Sequence, residues 1–177
     1  MKMRFNPFRP GRIAGPGMFA GRGEELYALD RMLFQTANGN AQHFLVSGER
    51  GIGKSSLFLY LKAIATGRIV APGGRKYNFL VLECELTPTV TERQLLSQIA
   101  GALRRGLAPH DRLKEALKTC WEIIKRVEAA GVRFNSAPSG APDTQELMDE
   151  LVAAFSAALS SLDGEFDGIL LLIDEAD

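Results

Sequence analysis

The stretch that decides the fold is Gly48-Glu49-Arg50-Gly51-Ile52-Gly53-Lys54-Ser55. It matches the pattern G-x-x-x-x-G-K-[ST], in which glycines let the backbone curl so that successive N–H groups point at anionic oxygens. A short apolar segment, His43 to Ser47, precedes it as a predicted strand, and residues 54–65 follow with helical spacing. The free N–H groups and positive dipole end of such a helix favour phosphate. The sequence therefore predicts a loop that binds a nucleoside triphosphate.

The polar residues of this loop have separate expected roles. Lys54 is predicted to reach the β- and γ-phosphates, where it counts as both a binding and a catalytic residue, and Ser55 is predicted to place its hydroxyl on Mg²⁺. ATP and Mg²⁺ are the expected cofactors. The remaining candidate binding residues act through the backbone or have no specific contact assigned: Gly48, Glu49, Arg50, Gly51, Ile52, Gly53 and Ser56.

An apolar strand that ends in two acids is the second candidate feature. Residues Ile169 to Ile173 are continuously apolar and lead directly into Asp174 and Glu175. In P-loop proteins the acid at such a strand end holds Mg²⁺, usually through water, so Asp174 is the metal-positioning candidate. Glu175 is predicted to be the general base or to position the attacking water. Taken alone, the segment also fits a pair of solvated acids, and Asp177 is interpreted as a local cap.

Apolar residues at helical spacing and capping residues predict the helices in the rest of the chain. Apolar spacing predicts helices over Glu24–Thr36 and Asp111–Ala129. Thr91 with Gln94 forms a capping-box pattern. Further along the chain, Asp143 marks the start of another helix.

Strands and helices alternate along the chain, with Tyr77–Cys84 as a second predicted strand. This alternation predicts an α/β fold, a three-layer sandwich around a parallel sheet. Residues 91–162 are interpreted as a helical insertion between two strands.

Composition excludes several classes of protein. The 177 residues suit one domain, and Lys+Arg and Asp+Glu both total 21, so net charge gives no argument for nucleic-acid binding. The longest apolar run, residues 169–173, is far too short to span a membrane. Cys84 and Cys120 lie far apart without metal-ligand spacing and are interpreted as buried thiols in a reducing compartment. The predicted localisation is therefore cytoplasmic, with no membrane partner.

The segment before the phosphate loop resembles the opening box of a known group of ATPases. Phe19-Ala20-Gly21-Arg22-x-x-Glu25-Leu26 is similar to the F-x-G-R-x-x-E-L box of AAA+ ATPases of the origin-recognition initiator type and of the STAND group. In those families the box lies beside the adenine, so the resemblance implies that Phe19, Ala20, Gly21 and Arg22 help to hold the base. Gly23 stands where those families often have an acid.

The resemblance also implies a division of the chain. Residues 1–22 form an irregular basic segment that contains the adenine-side box, and residues 23–177 form the N-terminal part of a P-loop ATPase domain. Within it lie the Walker A segment 48–55 and the Walker B segment 169–175. In this class a further strand, later in the sequence, normally inserts between the two motif-bearing strands. A sheet without it exposes backbone groups, so the isolated chain is expected to be poorly stable or incompletely active.

Three functions follow as hypotheses. The first is an ATPase that acts as a nucleotide-dependent switch for attached domains or partners, with oligomerisation possible on ATP binding. The second is a DNA-associated AAA+ ATPase of the initiator or transposition-helper type, for which Arg104-Arg105 and the basic N-terminus are the only signals. The third is a non-hydrolysing STAND-type sensor or scaffold. A DNA or protein partner would act through domains beyond Asp177.

Two related enzyme classes fit less well. The letters D-E-A-D at residues 174–177 suggest an RNA helicase, but those helicases resemble A-x-x-G-x-G-K-T and have Thr where Ser55 stands. Their adenine-reading glutamine motif is not found upstream. Small GTPases resemble D-x-x-G at the second motif, which residues 174–177 do not match.

Overall fold

The computed structural model describes residues 21–87, 89–109, 122–127, 129, 143–162 and 164–175. Phe19, Ala20 and most of the helix predicted over Asp111–Ala129 lie outside these residues, although 122–127 and 129 are helical. The elements are α1 (Gly23–Ala37), α2 (Lys54–Ala65), β1 (Phe79–Leu86), α3 (Glu92–Leu107), α4 (Thr144–Ser161) and β2 (Gly168–Glu175).

The two strands form a parallel sheet along their full lengths. Their register runs from Phe79 opposite Gly168 to Leu86 opposite Glu175. The Asn78 N–H donates to Asp167 Oδ2 at 2.6 Å, and the Asp167 N–H donates to the Asn78 carbonyl at 3.0 Å, which joins the two strand beginnings. Because the strands are parallel, their carboxyl ends meet at one edge of the sheet.

Helices cover both faces of this sheet. On β1, Leu80, Leu82 and Cys84 pack into one apolar cluster with residues of α3 and α4. Phe79 and Val81 point the other way and pack with residues of α1 and α2. This alternation is the period of two that a strand imposes, and it confirms the predicted α/β fold with helices on both sides of a parallel sheet.

The capping signals in the sequence are confirmed by hydrogen bonds. Thr91 Oγ1 accepts from the Gln94 N–H at 3.3 Å, while Gln94 Oε1 accepts from the Thr91 N–H at 2.7 Å. Asp143 Oδ1 accepts from the Glu146 N–H at 2.8 Å. None of the helices in the described residues is long and apolar enough to cross a bilayer.

The strand predicted over His43–Ser47 is wrong. Within the described residues, no strand is hydrogen-bonded to this segment. A β-strand requires such pairing with a neighbouring strand. Its burial still alternates, because Phe44 and Val46 pack against the α1–α2 core while Leu45 is 91% exposed. The apolar pattern indicated which side chains face the core, but it did not show whether a neighbouring strand is present to pair with the segment.

The second strand begins two residues later than predicted, at Phe79 instead of Tyr77. Tyr77 is buried, as the apolar pattern required, but its hydroxyl donates to Asp30 Oδ1 at 2.6 Å. The ring also lies 5.8 Å from the ring of Phe79, centre to centre. Tyr77 therefore belongs to a tertiary contact with α1 and not to the strand ladder.

Asp30 is the centre of a buried polar network that joins α1 to the segment before β1. The residue is 2% exposed. Its Oδ2 accepts from the Gly73 N–H at 2.8 Å and from Arg75 Nη1 at 3.2 Å. Burial first, and the hydrogen bond to Asp30 second, raise the pKa of Tyr77 to about 12. A buried carboxylate is tolerated here because its oxygens are bonded to several donors.

Replacing Asp30 with alanine is expected to lower the free energy of unfolding by about 3 kcal/mol, because the Gly73 N–H and the Tyr77 hydroxyl lose their buried acceptor. Urea denaturation followed by circular dichroism measures the loss. Asp149→Ala on the exposed face of α4 is the control and should change stability by less than about 0.5 kcal/mol. Equal effects of the two substitutions would contradict a stabilising role for the network.

Candidate functional site

The phosphate-loop candidate has the backbone that its glycines predict. Gly51 and Gly53 have φ values of +82° and +97°, a region that residues with a Cβ rarely adopt. Gly53 is also the N-cap of α2, so the chain passes from a left-handed residue directly into a right-handed helix. A Cβ at Gly51 would meet no described atom within 4 Å. The loop is therefore open on that side.

Lys54 lies over its own loop. Its Nζ donates to the Gly48 carbonyl at 3.0 Å and to the Glu49 carbonyl at 3.2 Å. The ammonium group is thus held at the loop and does not extend into solvent. This position is where a cation can exchange main-chain oxygens for the oxygens of an anion.

The N-terminus of α2 differs from those of α1, α3 and α4, each of which has an acid in its first turn. No described side chain caps Gly53, and no acid occurs in the first turn of α2. By contrast, α3 has its capping box and Glu92, and α4 has Asp143 and Glu146. The first N–H groups of a helix have no partner within the helix and lie at its positive end. These groups, with Lys54 beside them, fit the phosphates of a nucleotide.

The loop lies at the carboxyl edge of the sheet. The C-terminal end of α2 is at the beginning of β1, since a Cβ at Gly67 would come within 2.6 Å of the Tyr77 carbonyl oxygen. Lys62 of α2 forms an ion pair with Glu83 in the middle of β1. α2 therefore runs antiparallel to the strand. From Lys62, the helix extends about 12 Å further to Lys54, at about 1.5 Å per residue, past the strand ends.

Asp174 faces the same side of the sheet as α2. Leu172, two residues earlier, packs into the α1–α2 cluster, and the strand period of two places Asp174 on that face. Asp174 is half-buried. Ser55, the second residue of α2, is exposed near the same edge. For Glu175 the structure describes the backbone, which ends β2 opposite Leu86.

Glu85 is a further acid at this edge, and no sequence motif marks it. It is opposite Asp174 in the register, so the two side chains leave the sheet on the same face. Glu83 shares that face, as its ion pair with Lys62 shows. The alternating acids at 83 and 85 were visible in the sequence. Their position beside Asp174 depended on knowing the parallel register.

Arg22 contacts the phosphate loop directly. Its guanidinium donates to the Ile52 carbonyl, and a Cβ at Gly53 would lie 4.0 Å from its Nη2. Gly21 precedes it with φ of +86°. The resemblance implied that this box holds the adenine, which stays a prediction. The contact with the loop was not foreseen.

Comparison with known proteins identifies the family of the chain. The sequence profile of the family described as AAA ATPase domain matches residues 18–177. The chain belongs to the AAA ATPase domain family. It is therefore an AAA-type P-loop ATPase domain, and the match begins just before the box at residues 19–22. No curated protein and no solved structure matched the chain.

The left-handed glycine at the start of α2 gives a test of this site. Gly53→Ala is expected to cost about 1 kcal/mol in stability, because alanine is strained at positive φ, and to weaken ATP binding by altering the loop. The control is Gly39→Ala after α1, which also has positive φ, +82°, and no described atom within 4 Å of its Cβ position.

Thermal denaturation and ATP titration of both variants separate the two effects. The two substitutions should lower stability by similar amounts, whereas only Gly53→Ala should weaken ATP binding. Unchanged ATP affinity in Gly53→Ala would argue against the loop as the binding site.

Proposed function

We propose that this AAA ATPase domain binds ATP with Mg²⁺ at residues 48–55, hydrolyses it, and acts as a nucleotide-dependent switch for attached domains or partners. The observation that supports this most strongly is the start of α2. There, N–H groups without a described side-chain cap and the ammonium group of Lys54 lie together on an open glycine loop. Such a site favours a polyphosphate over any neutral ligand.

Different residues of the site are proposed to bind the phosphates and the metal. The loop amides and Lys54 bind the β- and γ-phosphates. Ser55 and Asp174 would hold the metal, Asp174 through water, which suits a cation that keeps most of its own waters. When bound, Mg²⁺ neutralises charge on the phosphate oxygens. Two protein groups are enough for such a metal, and both lie toward one edge of the sheet.

Glu175 is proposed to orient the attacking water and accept its proton. Phosphoryl transfer requires little covalent work from a protein, so the rate depends on positioning and on electrostatic stabilisation. Glu175 follows Asp174 directly and is the last residue of β2, so its backbone belongs to the strand and not to a loop. This placement supports a hydrolytic role over simple nucleotide retention.

The described residues give little support for DNA as the partner. Arg104 and Arg105, the internal signal for DNA, lie in the last turn of α3. Cations in that position are stabilised by the negative end of the helix dipole, so they do not favour DNA over an ordinary helix end. The switch is therefore preferred. The DNA-associated ATPase and the non-hydrolysing sensor stay as predictions from the resemblance.

Lys54→Ala is expected to reduce ATP affinity by about a hundredfold or more, because a charge-assisted contact to the phosphates is lost. Isothermal titration calorimetry with Mg²⁺ measures the affinity. Lys125→Ala removes an exposed lysine in the helical segment 122–127 and should leave affinity unchanged. Equal ATP affinity in the wild type and Lys54→Ala would refute the assignment of the site.

Glu175→Gln is expected to keep ATP affinity within about twofold and to lower turnover by about a thousandfold, because glutamine cannot accept the proton of water. Phosphate release under saturating ATP measures turnover. Full turnover in this variant would transfer the base role to another group, and Glu85 beside Asp174 would be the first to replace.

A further inference from the structure

Two cations hold the carbonyl groups of the phosphate loop. Lys54 binds the carbonyls of Gly48 and Glu49, in the first half of the loop. Arg22, which lies 30 residues before Ile52 in sequence, binds the Ile52 carbonyl in the second half. The loop is therefore fixed at both ends by side chains, and only one of the two belongs to the loop motif.

The contact with the Ile52 carbonyl also fixes a neighbouring N–H group. The carbonyl of Ile52 and the N–H of Gly53 belong to one planar trans peptide, in which they point in opposite directions. A donor that holds the carbonyl on one side therefore holds the Gly53 N–H on the other side. Gly53 is the N-cap of α2, so this N–H is next to the helix start that is expected to receive the phosphates.

This peptide is one that needs an external restraint. Gly53 has no Cβ to limit its rotation and already occupies a left-handed conformation, with φ of +97°. A peptide before such a glycine can rotate with little steric resistance. Without a restraint, its N–H samples several directions, and ordering it on ligand binding costs conformational entropy.

Arg22 is itself held on a rigid element. Its own carbonyl accepts from the Leu26 N–H at 3.0 Å, at the first turn of α1. α1 packs on α2 in a shared apolar cluster that includes Leu33 and Leu61. Since α2 begins at the loop, the donor on Arg22 and the acceptor on Ile52 are connected through one packed unit. The restraint is thus built from tertiary packing.

We propose that Arg22 is a positioning residue of the phosphate loop, which orients the Gly53 N–H for an anion by holding the Ile52 carbonyl. The proposal rests on nucleotide binding at residues 48–55 and adds a role on the phosphate side, distinct from a contact with the base. It predicts that Arg22 matters equally for a ligand with a base and for one without.

The test compares ATP with inorganic triphosphate, which has no base, in the presence of Mg²⁺. Arg22→Ala is expected to weaken both ligands by the same factor, about tenfold. Arg22→Lys keeps a cationic donor of similar length and should recover most of the affinity. Arg31→Ala, an exposed arginine of α1, is the matched control and should change neither affinity. Loss of ATP affinity alone would overturn the proposal and indicate a contact with the base.

A second measurement does not depend on a ligand. In the free protein, ¹⁵N relaxation should show a lower order parameter for the Gly53 amide in Arg22→Ala than in Arg31→Ala, while amides in the middle of α2 stay unchanged. Equal order at Gly53 in the two variants would overturn the proposal. If the wild type bound neither ATP nor triphosphate, the proposed function would fail, and this measurement would still decide whether Arg22 positions the loop.

Discussion

The start of α2 is the constraint on which the rest of the molecule depends. There the chain turns from a left-handed glycine, Gly53, directly into a helix whose first N–H groups have no described side-chain cap. The positive end of the helix dipole makes an anion a favourable partner for the N–H groups at such a helix start. The other elements place this helix end at the carboxyl edge of a parallel sheet, where the strand ends bring Asp174 and Glu85.

The stable part of the molecule lies beneath the loop and not in it. Apolar side chains on both faces of the sheet bind α1 and α2 on one side and α3 and α4 on the other. The hydrogen-bonded network around Asp30 joins α1 to the segment before β1. Arg75 adds a contact with α1, because its Cζ lies 4.2 Å from the centre of the Phe34 ring. An exposed glycine loop can then keep one geometry because α1 and α2, which support it, are packed together.

Prediction from the sequence succeeded where the signal was local. The glycines at 51 and 53, the capping pair Thr91 and Gln94, and the cap at Asp143 each act within a few residues, and the structure shows each in the predicted geometry. It failed for residues 43–47, because a strand needs hydrogen bonds from a distant segment as well as an apolar pattern. The start of β1 shifted for a similar reason, since burial of Tyr77 comes from α1.

The sequence by itself determined the phosphate loop, the helix starts and the parallel α/β class, because residue type and short spacing act directly on the backbone. Only the tertiary structure decided which groups from far along the chain meet there. Arg22 reaches Ile52 across 30 residues, Asp30 reaches Tyr77 across 47, and Glu85 comes beside Asp174 through the strand register. The physical reason is that such contacts depend on how helices and strands pack, and packing is a property of the whole core.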